Sequence, residues 1–155
     1  MKKIMFVCLG NICRSPLAHA VMDDFINQSD CIDKYMVDSS GTSGYHVGQL
    51  SDARMRKTAM RHNVEINHRA QQLSLWDIAN NDYIFAMDNQ NLIDILSMCN
   101  DEQKSKVRLL RDFDPEGLGD VPDPYYGGVD GFEDVFQIVL RSCRCLLQDL
   151  ESGKI

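Results

Sequence analysis

No stretch of the 155-residue chain approaches about eighteen consecutive apolar residues, so no membrane-spanning helix is expected. The basic start Met1-Lys2-Lys3 is followed by only four apolar residues before Cys8. That run is too short for a signal peptide, and Ile4 to Val7 predicts a buried strand instead. Clustered Lys and Arg are also missing, and the formal net charge is −7. General nucleic-acid binding is therefore excluded, because phosphate-backbone affinity rests on clustered positive charge. An anionic substrate needs a local trap that beats the global field. The cysteines are Cys8, Cys13, Cys31, Cys99, Cys143 and Cys145, with no C-x-x-C pair among them, so a zinc finger is not expected. Without a secretion signal, reduced thiols in a cytoplasmic chain are expected. Neither Gly-rich nucleotide loop is present, and there is no internal repeat or low-complexity linker.

What remains is an ordinary globular composition, 44% apolar and 25% charged. It suits one domain over residues 1–155 that buries roughly 68–70% of its unfolded surface. Strand and helix signals alternate. Ile4 to Val7, Tyr35 to Ser39, Asp82 to Met87 and Lys106 to Leu110 read as strands. Helices are expected from Ser15-Pro16, over Asp52 to His62, over Asn89 to Met98 and from Phe132 onward. In the last, Phe132, Val135, Phe136, Val139, Leu140, Cys143, Leu146, Leu147 and Leu150 follow the helical period. Cys143 and Cys145 are expected to be packing residues there. This alternation predicts an α/β fold of three layers, with a four-stranded parallel twisted sheet covered by helices on both faces. Such sheets bind ligands beyond the carboxyl ends of their strands, which points to the turn after strand one. The long acidic segment Asp112 to Gly131 is the second candidate, since a loop of that length in a compact domain is usually functional.

The first turn reads Cys8-Leu9-Gly10-Asn11-Ile12-Cys13-Arg14-Ser15-Pro16. A loop curling from strand to helix start can aim backbone N–H groups inward as an anion nest, and the helix adds its positive end. Gly10 and Asn11 tolerate the left-handed backbone that such a curl needs. Arg14 can grip two phosphate oxygens with its planar fork. Cys8 at the base of the cup then favours thiolate over thiol, and Ser15 can donate to the sulfur. That thiolate can attack phosphorus in line. An acid is needed for the leaving oxygen, and Asp123, stiffened by Pro122 and Pro124, supplies one; Asp120 is its competitor. Tyr125 and Tyr126 can wall a slot for an aromatic leaving group.

These residues resemble two motifs of the low-molecular-weight protein tyrosine phosphatases. Cys8 to Pro16 resembles their signature loop, and Asp123-Pro124-Tyr125-Tyr126 their general-acid loop. Asp38-Ser39, Gly48, His68-Arg69-Ala70 and Met87-Asp88 extend the resemblance along nearly the whole chain. The resemblance implies a four-stranded parallel sheet with the phosphate-binding loop after strand one. It implies hydrolysis of phosphotyrosine in proteins through a phosphocysteine on Cys8. Arg14 is then the phosphate clamp, Asp123 the acid and later the base, and Ser15 the support of the thiolate. Ser39 and His68 hold Asn11 in a strained conformation, and Tyr45, Tyr125 and Tyr126 flank the substrate ring. Cys13 is either a packing residue or, as the resemblance favours, the thiol that captures an oxidised Cys8. Inorganic phosphate and other oxyanions are expected inhibitors. No metal, cofactor, nucleic acid or membrane partner is expected, and the chain is expected to be a monomer or weakly self-associated. Departures are Tyr45 where Trp is frequent, Ser40 where a smaller residue is expected, and Gln71 where Arg is common.

Two other chemistries use a similar cup. Protein arginine phosphatases resemble this loop but carry Thr where this chain has Ile12, which favours the tyrosine substrate. A thiol-linked arsenate reductase needs a cysteine pair further along, and only Cys99 lies in the middle of the chain. A phosphate-binding module without catalysis would have lost Cys8, Arg14 or Asp123, and all are present.

Overall fold

The computed structural model describes the backbone of residues 1–126 and 129–155, and all their side chains except those of Tyr126 and Val129. Strand β1 (Lys2–Cys8) lies inside a four-stranded sheet of order β2-β1-β3-β4, with β2 at Tyr35–Gly41, β3 at Tyr83–Ala86 and β4 at Val107–Leu109. All the pairings are parallel. The α/β expectation is borne out. Both sheet faces are covered, so β1 is apolar on both. Its side chains alternate. Ile4, Phe6 and Cys8 enter a core with residues of α1 (Arg14–Asn27), α2 (Ala53–Arg61) and α5 (Val129–Glu151). Met5 and Val7 enter the opposite core with Ile78 of α3 (Leu75–Asn80) and Ile95 of α4 (Asn89–Ser97).

The chain runs from β1 outward to β2, then returns to place β3 on the other side of β1. The order reverses at β1, so a crevice opens beyond its carboxyl end, where Cys8 stands. α5 carries the stripe read from sequence: Phe132, Val135, Phe136, Val139, Cys143 and Leu146 are buried, and Leu140, Leu147 and Leu150 pack against them. Cys143 is fully buried and Cys145 half-buried, as packing residues would be.

Several boundaries differ from the sequence expectation. Strand β2 runs on to Gly41, because its pairing with β1 continues to Cys8 opposite Gly41. α1 begins at Arg14 and α5 at Val129, each earlier than its apolar stripe. Asp112 to Gly131 is not one open loop. Short 3₁₀ turns form at Leu110–Phe113 and Pro124–Tyr126. α3 was not anticipated. It is one short helix, closed at its start by a reciprocal capping box between Ser74 and Asp77. Its Leu75 and Trp76 are exposed, so it shows no apolar stripe.

Phe136 is almost wholly buried and stacks on the His62 ring, with centroids 4.1 Å apart. Phe136→Ala is expected to destabilise the fold by about 3–5 kcal/mol. Urea denaturation checks this, and a loss below about 1 kcal/mol would contradict the packing described.

Candidate active site

The loop from Cys8 to Arg14 turns at Asn11, whose φ is 57°. Gly10 does not share this conformation; Asn11 is the left-handed residue of the loop. A non-glycine residue stays there only if its surroundings hold it. Asn11 is fully buried, and its side chain bonds at both ends. Its Nδ2 donates to Ser15 Oγ at 2.7 Å and to Ser39 Oγ at 3.1 Å. Its Oδ1 accepts from His68 Nε2 at 2.8 Å and from the Gln71 backbone N–H at 3.0 Å. The structure thus brings Ser39 and His68 to Asn11. Gln71, which departs from the common Arg, is wired into the same network through its backbone. Its side chain donates to Asp38 Oδ2 and to the Ser39 carbonyl.

Burial, then the neighbouring His19, holds His68 below the usual histidine range, against the pull of Asp38. Asn11 Oδ1 can only accept, so His68 donates to it from Nε2. Ser40 is also absorbed. It is buried, its hydroxyl bonds Met5 Sδ, and its carbonyl accepts from Ser15 Oγ at 3.3 Å.

The turn aims groups at the sulfur of Cys8. The Asn11 backbone N–H donates to Sγ at 3.3 Å, and Ser15 Oγ lies 3.0 Å away. A thiolate has no proton to give, so in that state the single Ser15 hydroxyl proton turns to the sulfur and away from the Ser40 carbonyl. α1 starts at once after Cys13, and no side chain caps it. Its first amides therefore remain for an anion. Gly41, the last residue of β2, is needed for this geometry. A Cβ there would sit 2.7 Å from the Leu9 carbonyl oxygen and 3.1 Å from the Asn11 nitrogen, so β2 ends in the residue that lets the loop pass.

Arg14 is almost completely buried, and one of its terminal nitrogens is held from behind. Nη1 donates to Asp88 Oδ2 at 2.6 Å and to the Val121 carbonyl at 3.1 Å. Nε is buried without a hydrogen-bond partner among the described residues, and Nη2 lies 3.6 Å from Asp123 Oδ2. Burial works against the Arg14 charge, but Cys8, Asp88 and Asp123 outweigh it and raise the guanidinium above its ordinary value. Asp88 was noted in the sequence without a role. Its signal was an Asp at a strand end, where it both caps α4 and anchors the arginine.

The later loop is pinned at Val121, whose N–H donates to the Met87 carbonyl at 2.7 Å. This brings Asp123 to the cleft, with its Oδ1 accepting from the Tyr125 N–H at 3.0 Å. Asp120 is used elsewhere. Its carboxylate accepts from the Asn89 N–H, and its carbonyl accepts from Arg111. The cleft has a volume of about 250 Å³ and is lined by Cys8, Ile12, Cys13, Arg14, Asp123 and Tyr125, with Leu9, Gly10, Tyr45 and His46 also contributing. Tyr45 is 83% exposed and stands at its rim. The side chain of Tyr126 lies outside the described residues.

Two residues that the sequence did not flag support the wall. The Asp52 N–H donates to the Ile12 carbonyl at 2.8 Å, and Asp52 caps α2. Arg54 is clasped by the Asp52 carboxylate and lies over the rings of Tyr125 and Phe132, at 5.4 and 4.8 Å. Cys13 is buried beneath the cleft. Burial first, then Asp52 and Cys8, raise its thiol far above the ordinary range, so it rests protonated.

Comparison with known proteins follows this geometry. The family model described as low molecular weight phosphotyrosine protein phosphatase matches residues 3–154. The human protein of that name is 40% identical over 149 residues, which cover 95% of this chain and 94% of that one. A crystal structure of a protein tyrosine phosphatase from Entamoeba histolytica, with Hepes in its active site, superposes with a TM-score of 0.97 at 43% identity, covering all of both chains. A Drosophila arginine phosphatase structure superposes with a TM-score of 0.88 at 32% identity, over 97% of this chain and 98% of that one. The buried cup, the anchored arginine and the match along nearly the whole sequence lead to one conclusion: the chain belongs to the low molecular weight phosphotyrosine protein phosphatase family.

Proposed function

We propose that the chain hydrolyses phosphotyrosine in proteins through a phosphocysteine on Cys8. The observation that carries this reading is the state of Arg14. One end of its fork is tied to Asp88 and Val121, while Nε is a buried donor with no partner among the described residues. A tetrahedral oxyanion in the cup satisfies that donor, and Nη2 beside it completes a bidentate grip.

The steps balance as follows. The Cys8 thiolate attacks phosphorus and forms a P–S bond as the P–O ester bond breaks. Asp123 gives its proton to the leaving phenolic oxygen. Asp123, now a carboxylate, takes a proton from water, and the hydroxyl oxygen attacks phosphorus. The P–S bond breaks, inorganic phosphate leaves, and the thiolate is restored with Ser15 and the Asn11 N–H at the sulfur. Arg14 and the amides at the start of α1 hold the equatorial oxygens in both transition states. Tyr45 and Tyr125 border the cleft where a substrate ring would lie. Ile12 presents an apolar surface there, which suits a phenol better than a guanidinium; the arginine phosphatase among the relatives keeps the second substrate worth testing. Cys13, buried next to the cup, is a candidate to capture an oxidised Cys8 as a disulfide.

Phosphate release from phosphotyrosine and phosphoarginine peptides, side by side, tests the substrate. Release from phosphotyrosine, abolished in Cys8→Ser with phosphate binding retained, is expected; turnover by Cys8→Ser would remove the nucleophile assignment. Asp123→Asn should slow phosphotyrosine by about 10²–10⁴-fold, and much less for an aryl phosphate whose leaving group needs no proton. Equal losses on both substrates would contradict the acid role. Asn11→Ala should weaken both fold and catalysis. It removes bonds to Ser15, Ser39, His68 and Gln71; Ser15 and Ser39 are buried, and each unmet buried group costs about 1–3 kcal/mol before relaxation. A melting temperature and kcat both within error of the unmodified chain would refute the supporting network.

A further inference from the structure

Cysteine spacing speaks against a zinc finger, but the fold assembles a different donor set. One ring nitrogen of His19, one of His68 and one carboxylate oxygen of Asp38 lie within 4.8 Å of one another. The side chains come from α1, from the segment after α2 and from β2, so nothing in the linear order announces them. Their second partners are those of metal ligands, each of which normally carries an outer hydrogen bond that fixes its orientation. His68 Nε2 is committed to Asn11 Oδ1, which leaves Nδ1, 3.9 Å from Asp38 Oδ1, as the ring nitrogen on the side of the cluster. Both His19 ring nitrogens have a partner, Nδ1 with Ser39 Oγ at 3.2 Å and Nε2 with Asp23 Oδ2 at 3.3 Å, so an ion replaces one of these contacts and the other becomes the outer bond. Asp38 accepts from the Ser39 N–H on one oxygen and from Gln71 Nε2 on the other. A polar cavity of about 380 Å³, lined by His19, Asp23, Glu65 and His68 among others, opens beside the two rings and gives an ion a way in.

We propose that His19, Asp38 and His68 bind a divalent transition-metal ion, with Zn²⁺ the best match. Two imidazoles and one carboxylate leave the fourth tetrahedral position to water. Imidazole nitrogens select against Mg²⁺ and Ca²⁺, which take oxygen ligands. Ligand atoms around tetrahedral Zn²⁺ stand about 3.3 Å apart, so atoms now within 4.8 Å of one another close in by up to about 1.5 Å. The site lies away from Cys8 yet shares His68 with the network that holds Asn11. An ion there ties β2, α1 and the His68 segment together behind the phosphate loop. The inference stands apart from the phosphatase reading, since it concerns metal binding alone.

Co²⁺ and Zn²⁺ titrations of the Cys8→Ser protein test it, because that background removes the reactive thiolate. Co²⁺ is expected to saturate at one equivalent with visible d–d absorption and no thiolate-to-metal charge transfer. Zn²⁺ should displace it and raise the melting temperature. Adding His19→Gln should weaken binding by at least about tenfold and cancel the Zn²⁺ shift. A cooperative melt confirms that this variant is folded, and Asp38→Asn provides a second test of the same loss. No saturable absorption, a charge-transfer band placing the ion on sulfur, or undiminished binding in both variants would overturn the site.

Discussion

The left-handed turn at Asn11 is the constraint on which the site depends. A chain leaving β1 must reverse within a few residues to start α1, and it must do so around a sulfur. An L-residue at φ 57° is strained, and the strain is met by a side chain whose amide is bonded at both ends. Those bonds reach β2 through Ser39, α1 through Ser15 and the segment after α2 through His68 and Gln71. Those to Ser15 and Ser39 are buried, so breaking one leaves an unmet polar group in low dielectric, which costs more than the bond itself contributes. The loop is therefore set before an anion arrives, and little reorganisation remains for the moment of reaction.

Arg14 shows the same logic from the opposite side. A buried guanidinium is costly unless paired, and Asp88 with the Val121 carbonyl pairs one end of it. The pairing is asymmetric, and the asymmetry is what makes the residue useful. Fully satisfied, Arg14 would be a structural ion pair; with Nε unmet among the described residues, it keeps a donor to offer an anion. The Val121 contact has a second effect. It belongs to the segment that carries Asp123, so the arginine that would hold the phosphoryl group also sets where the acid stands.

The sheet, its helices and the two chemical segments were legible in the sequence because each is local. β1 is a short apolar run, α5 repeats its apolar residues every three or four positions, and Cys8 to Arg14 is contiguous. The residues that complete the site were not legible for the opposite reason. Asp88, Gly41, Arg54 and His19 matter through what the fold places beside them. Gly41 has to be glycine because the Leu9 carbonyl passes 2.7 Å from where its Cβ would be, and no local pattern announces a backbone from another segment. α3 escaped because its stability comes from the Ser74–Asp77 capping box and not from an apolar stripe. Gln71 looked like a lost arginine, yet its contribution to Asn11 comes from the backbone N–H, which any non-proline residue supplies.

The net charge of −7 remains to be reconciled with an anionic substrate. Charges more than about 10 Å away through solvent are largely screened at ordinary salt, so the acidic surface weighs little on a group inside the cleft. What weighs there is near and partly buried: the Arg14 charge, the uncapped start of α1 and the amide at Asn11. Asp88 offsets part of the Arg14 charge, and Asp123 stands within 3.6 Å of it. In the proposed mechanism the guanidinium and the loop amides therefore carry the attraction for the phosphoryl group, while Asp123, close enough to Arg14 to be oriented by it, would give its proton to the leaving oxygen and afterwards serve as the base toward water.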